Sequence, residues 1–197
     1  FHFGYDMDDD MTQIVSMTFS VEKITDIDTK ALSKCNSLKQ LILDQNDIRI
    51  IDNVFQSSAI EYLALNQNLL QSLKGVRHLG SSLVELSANN NKISSLTDVK
   101  HLHQLKLLDL SMNSISDITQ IQQLHNLESV NFYRNNIVSI PDLSRLRNLM
   151  SIDLGRNKIA NLDYSVLSNC NYLDELTLYE NEISEIPHLD NVLLRSI

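Results

Sequence analysis

The chain has 197 residues and 22.5 kDa, with 43% apolar and 21% charged residues, enough to bury a core in one sizeable domain. Its net charge of −9 disfavours a general nucleic-acid or anionic-membrane binder, and no run approaches the ~18 apolar residues of a membrane helix. Leucine supplies 32 residues and asparagine 20, whereas Gly (4), Pro (2) and Cys (2) are scarce, which excludes collagen and a disulfide knot. Because it begins at Phe1 rather than Met, the chain is expected to be an excised or processed fragment.

The first thirteen residues differ from the rest. Phe1, Phe3 and Tyr5 alternate with His2 and Gly4, which suits a short cap strand over the open end of a core. The acidic run of Asp6, Asp8, Asp9 and Asp10 lacks the alternate spacing and Gly of a calcium loop. It is therefore read as a solvated turn, with a Ca²⁺ site as the alternative.

From residue 14 onward one pattern repeats. IVSMTFSVEKI (14–24) is followed by LKQLILDQNDI (38–48), IEYLALNQNLL (60–70) and LVELSANNNKI (83–93). LKLLDLSMNSI (105–115), LESVNFYRNNI (127–137), LMSIDLGRNKI (149–159) and LDELTLYENEI (173–183) complete the series. Position 22, a Glu, and then Asn46, Asn68, Asn91, Asn113, Asn135, Asn157 and Asn181 mark one register, spaced 24, 22, 23, 22, 22, 22 and 24 residues apart. Alternation around pairs such as Leu41/Leu43 and Leu108/Leu110 predicts a short strand with one buried face in each unit. No unit can bury that face alone, so stacked neighbours must share one core and a parallel sheet. Asn at the strand exit is expected to satisfy backbone groups that water cannot reach.

This spacing, LxxLxLxxNxI, resembles that of leucine-rich repeats, over residues 14–197. The short period and the second apolar pair after each Asn (Ile115/Ile118, Ile137/Ile140) are similar to one subclass. It includes a regulatory subunit of protein phosphatase 1, a light chain of axonemal dynein, a spliceosomal repeat protein and the bacterial internalins. The resemblance implies an α/β solenoid, a curved right-handed coil with a parallel β-sheet on the concave face and short 3₁₀ or helical segments on the convex face. The expected organisation is a cap segment over 1–13 and a repeat domain over 14–197, with a ninth unit begun at Leu194 and Ile197 and left incomplete.

Two longer units each hold a cysteine, ALSKCNSLKQL (31–41) and VLSNCNYLDEL (166–176). Six units of ~4.8 Å place Cys35 and Cys170 about 29 Å apart, too far for a disulfide. Both are expected to be small buried residues, and a reducing compartment is favoured. No N-x-S/T sequon occurs.

Function is expected on the strand residues that flank the buried pairs. Three exposed columns run Thr18 to Thr177, Ser20 to Tyr179 and Val21 to Glu180, and the N-terminal half of each holds mainly small residues and amides. The C-terminal half concentrates Asp109, Met112, Asn131, Tyr133, Arg134, Asp153, Arg156 and Tyr179, with Leu107 one column earlier. Tyr, Arg and Met are enriched in protein interfaces, so these nine residues are the candidate partner-binding set. Exposed ion pairs on an ordinary solvated face are the competing reading. Gly155, between the strands of Tyr133 and Tyr179, is expected to leave a notch open to a partner side chain. His103, His125 and Arg147 share a register that reads as a solvated polar edge, with a metal site or pH response as alternatives. Arg134, Arg145, Arg147 and Arg156 raise phosphate or RNA binding as a minority alternative.

Phosphate-loop, GxSxG and HExxH patterns are absent, and the adjacent Asp174 and Glu175 face opposite ways in a strand. The expected function is a non-enzymatic protein–protein interaction module, an intracellular scaffold or regulatory subunit in the cytoplasm, with a possible cytoskeletal or ciliary association. It would need no cofactor and no small-molecule substrate and bind an unidentified protein. The alternatives are a bacterial surface adhesin of internalin type and a structural segment of a larger protein.

Overall fold

Each repeat contributes one three-residue strand, and a computed structural model, which describes residues 12–52, 54–55 and 59–185, places these strands side by side. They are β1 (Ser16–Thr18), β2 (Gln40–Ile42), β3 (Tyr62–Ala64), β4 (Glu85–Ser87), β5 (Leu107–Asp109), β6 (Ser129–Asn131), β7 (Ser151–Asp153) and β8 (Glu175–Thr177). All pair in parallel, in chain order, to form a single eight-stranded sheet. The register is constant: Met17, Leu41, Leu63, Leu86, Leu108, Val130, Ile152 and Leu176 face one another across the ladder. The cap strand of Phe1, Phe3 and Tyr5, the acidic run Asp6–Asp10 and the ninth unit with Leu194 and Ile197 lie outside the described residues.

The middle residue of each strand points into the core, as period-2 alternation requires, and from β2 onward it is at most 2% exposed. Leu43, Leu65, Ala88, Leu110, Phe132 and Leu154 add a second buried row, and Ile48, Leu70, Ile93, Ile115, Ile137 and Ile159 a third. These rows merge into one continuous apolar core from Leu32 to Leu176. Opposite the sheet lie short helical segments: α1 (Thr29–Ser33) and 3₁₀ turns at Val76–Leu79, Val99–His101, Thr119–Gln123 and Tyr164–Leu167. Asp28 caps α1 by accepting from the N–H of Lys30 and Ala31 at 2.9 and 3.2 Å.

Between the second buried row and the conserved-register Asn, the chain turns through left-handed backbone. Gln45, Gln67, Asn90, Met112, Arg134, Arg156 and Glu180 all have φ between +52° and +56°. None is glycine, so each repeat bears a modest conformational cost that its ladder bond offsets. The N–H of Met112, for example, donates to the Tyr133 carbonyl at 2.7 Å, and that of Arg134 to Gly155 at 2.8 Å.

The asparagines behave as their chemistry predicts. Asn135 donates from Nδ2 to the Leu110 and Phe132 carbonyls at 2.9 and 3.1 Å and accepts from the Ile115 N–H at 3.0 Å. Asn157 does the same one turn on, with Phe132 and Leu154 as acceptors and Ile137 as donor. A side chain that both donates and accepts ties each turn to the one before it.

Cys35 and Cys170 are both buried and unpaired. The Cys170 thiol donates to the Leu143 carbonyl at 3.3 Å, and burial, helped by the charge of Asp142, pushes it up to about 11. Cys170 is therefore expected to resist thiol reagents near pH 8 in the folded chain, with two thiols per chain released by urea. Above about pH 9 the unfolded thiol loses its proton while the folded one keeps it until about 11. Stability should therefore fall as pH rises through that window. Urea midpoints across it, compared with Cys170→Ala, check the sign; an unchanged slope in that variant would remove Cys170 as a contributor.

Candidate partner-binding face

The open face of the sheet is built from the two outer residues of each strand and the residues two and three positions beyond it. Of the nine expected residues, Leu107, Asp109, Asn131 and Asp153 lie in β5–β7, Tyr133 and Tyr179 two positions beyond β6 and β8, and Met112, Arg134 and Arg156 three beyond β5, β6 and β7. Leu107, Met112 and Tyr179 are 38%, 37% and 51% exposed, and Val21, Ile50, Val138 and Tyr172, outside the candidate set, are more exposed still.

The structure separates the nine into three groups. Asp109, Asn131 and Asp153 hold the backbone: their Oδ1 atoms accept the N–H of Ser111, Tyr133 and Gly155 at 3.0, 2.9 and 2.9 Å. Asp109 also accepts from Asn89 Nδ2 at 2.9 Å. Tyr133, Arg156 and Tyr179 come together: the tyrosine rings lie 6.0 Å apart at 36°, and the Arg156 guanidinium sits 5.7 Å from the Tyr133 centroid. Leu107 and Met112 are exposed apolar side chains, and Arg134 makes no ion pair among the described residues.

Glu180, which the sequence reading left out of the set, fixes the cluster. It accepts from Arg156 Nε at 2.8 Å and from Nη2 at 3.0 Å, a bidentate geometry that keeps the guanidinium over Tyr133. The hydrogen bond to Glu180, then its charge, holds the Arg156 guanidinium above its ordinary range. Partial burial, followed by the hydrogen bond with Tyr133, raises the Tyr179 phenol. The signal for Glu180 was present: it follows Arg156 by one repeat in the same column.

The notch expected at Gly155 is filled by the protein itself. Gly155 is buried, and a Cβ built there would meet Cε1 of Tyr179 at 2.8 Å and Cζ at 3.0 Å. The ring of Tyr179 leans over the glycine, because nothing else occupies that space. Gly155→Ala should therefore displace the Tyr179 ring with little loss of stability. A changed near-ultraviolet circular dichroism with an unmoved melting temperature is the expected result; an unchanged spectrum would mean that the ring does not rest there.

The N-terminal half is also less plain than its amides suggest. A shallow trough on the sheet face is lined by Tyr62, Glu85 and Ser87 together with Leu107, Asp109 and Asn131. Tyr62 and Glu85 belong to the strand column that precedes the three read from the sequence. Asn126 donates from Nδ2 to the His103 carbonyl at 2.8 Å and Asn148 to that of His125 at 3.2 Å, so asparagine side chains tie the His103 and His125 backbone to the following repeat. Among the described residues no group of three His, Cys, Asp or Glu side chains could hold a metal ion.

The sequence matches no family model and no curated protein. Solved structures do share its fold. Internalin C2 from Listeria monocytogenes superposes with a TM-score of 0.81 at 25% identity, over 94% of this chain and 80% of its own. An internalin F from the same organism gives 0.69 at 24% identity, over 94% and 61%. TLR13, solved in complex with an ssRNA13, gives 0.72 at 25% identity, over 84% of this chain and 25% of its own.

Proposed function

The chain is a leucine-rich-repeat solenoid, and from that premise we propose that it is a recognition module without catalytic activity, binding a protein partner across the C-terminal half of its sheet face. The observation that carries this reading is the Tyr133–Tyr179–Arg156 cluster. Two aromatic rings and a guanidinium, the side chains most often responsible for interface affinity, lie together, and Glu180 clamps the guanidinium, on a sheet tied down strand by strand. Their freedom was lost on folding, so a partner meets a surface that needs little further ordering. Exposed Leu107 and Met112 supply apolar contact beside it. The TLR13 likeness is to a protein solved with RNA, but a chain of net charge −9 supports a protein partner instead.

Two buried, unpaired thiols support an intracellular scaffold or regulatory subunit. A surface adhesin of internalin type is the second reading, supported by the likeness to internalin C2 over 94% of the chain. Fractionation of host cells separates them: recovery of the protein with the soluble contents favours the first, and release by surface proteolysis of intact cells favours the second.

Affinity capture from a native-host lysate tests the site. A protein held by the wild-type chain and lost by Tyr133→Ala/Arg156→Ala, with both chains shown to be folded, is the expected result. Equal capture by both would move the site off this face.

A further inference from the structure

The strands of the sheet face carry an unbalanced charge. Among the eight strands the charged residues are Glu85, Asp109, Asp153 and Glu175, all acidic, with no Lys or Arg. Asp44, half-buried beyond β2, adds a fifth carboxylate, whose Oδ1 accepts from the Asn66 N–H at 2.8 Å. Cations flank these positions only at the rims, where most are already neutralised. Lys39 and Lys106 pair with Glu61 and Glu128 at 2.7 and 2.8 Å, and Arg156 pairs with Glu180; Arg134 is the exception.

Folding does not require this charge. Asn131 sits between Asp109 and Asp153 in the same column and accepts the same i+2 backbone N–H at the same distance, within 0.1 Å. An amide therefore does the structural work of those carboxylates, and their charge is left over. Its effect on neighbours is visible at Tyr62, whose phenol is raised by burial and further by the charges of Asp44 and Glu85.

We infer that the sheet face takes an extended basic segment of its partner, with Lys or Arg side chains set against Glu85, Asp109, Asp153 and Glu175. This rests on the sheet face being the binding surface. From β4 to β8 the carboxylates span about 19 Å at ~4.8 Å per strand, which about six extended residues cover at ~3.3 Å each. The segment crosses the strands rather than joining the sheet, because every strand from β2 to β7 is already paired on both sides. Charge complementarity selects the partner class, and the exposed ring of Tyr179 offers its face to one of the cations.

The probe is a fluorescent Lys-Arg-Lys-Arg-Lys-Arg peptide, with an all-Glu peptide of equal length as its opposite, titrated with the whole chain. The basic peptide is expected to bind and the acidic one not. Affinity should fall about 10-fold between about 0.01 and about 0.15 M salt, as the screening length shortens from about 30 to about 8 Å. Asp109→Asn/Asp153→Asn should weaken binding about 10-fold at low salt. Glu182→Gln/Glu185→Gln, which removes equal charge away from the strands, should change it less than about twofold. Melting curves confirm that both variants fold. Failure of the basic peptide to bind, or equal loss in the two variants, overturns the inference. If capture of the lysate partner is still lost with Tyr133→Ala/Arg156→Ala, only the charge class falls; if that capture also persists, the face itself is wrong.

Discussion

Asn135→Leu is expected to destabilise the chain by at least ~2 kcal/mol, read as a fall in urea midpoint at constant slope. The two side chains have similar size, so the loss comes from polar groups and not from a cavity. Asn135 is 8% exposed, and its removal leaves the Ile115 N–H without a partner and takes one of two amide donors from each of the Leu110 and Phe132 carbonyls, which keep Asn113 and Asn157. The orphaned N–H costs about 1–3 kcal/mol, and each hydrogen bond lost at a carbonyl about 0.5–1.5 kcal/mol more. Asn135→Asp separates donation from acceptance. The carboxylate can still accept from Ile115 but sets a negative oxygen against the Leu110 and Phe132 carbonyls, where the amide had donated. Its protonated form donates once, so this variant should recover stability as pH falls through a carboxyl pKa raised by burial. Asn181→Leu, in the last described turn where the site is only part-buried, should cost less. A loss below ~1 kcal/mol for Asn135→Leu would show that water replaces the amide and that the ladder is not what couples the turns.

Gly75→Ala is expected to cost about 3 kcal/mol, although it adds one methyl group. Gly75 has φ of +108°, outside what an L side chain tolerates, and it opens the 3₁₀ turn Val76–Leu79. A Cβ there would lie 2.4 Å from the Ile51 carbonyl oxygen and 3.3 Å from the Asp52 Cα, both backbone of the preceding repeat. Backbone cannot swing aside as a side chain can. The N–H of Gly75 also donates to Asp98 Oδ2 of the following repeat at 2.8 Å, so any shift strains contacts on both sides. Gly155→Ala is the natural control: its added Cβ meets the movable ring of Tyr179, and its φ is ordinary. Equal losses at the two sites, measured by thermal unfolding, would mean that the left-handed backbone is not the source of the cost.

Both effects come from the same design. Each turn is short, so its strand exit and its return to the core rely on groups from the turn before and the turn after. The stiffness that makes these substitutions expensive also holds Tyr133, Arg156 and Tyr179 in place for a partner. Cooperativity along the stack and preorganisation of the face are two consequences of one set of bonds.

Periodicity was enough to locate the architecture, because a repeat of 22 to 24 residues with fixed apolar and Asn positions can bury its core only by stacking. The eight strands, the burial of Leu41 through Leu176 and the bonding of the Asn ladder follow from side-chain period and hydrogen-bond capacity, which are local properties. The column positions of the nine candidate residues were legible for the same reason. What depended on three-dimensional packing was how neighbouring columns use one another. That Tyr179 covers Gly155, that Glu180 clamps Arg156, and that Asp109 and Asp153 already bond the backbone are facts of side-chain direction and distance, which a register cannot express. The left-handed φ at Met112, Arg134 and Arg156 was equally hidden, since none of these residues signals it and only the ladder bond from the next strand pays for it.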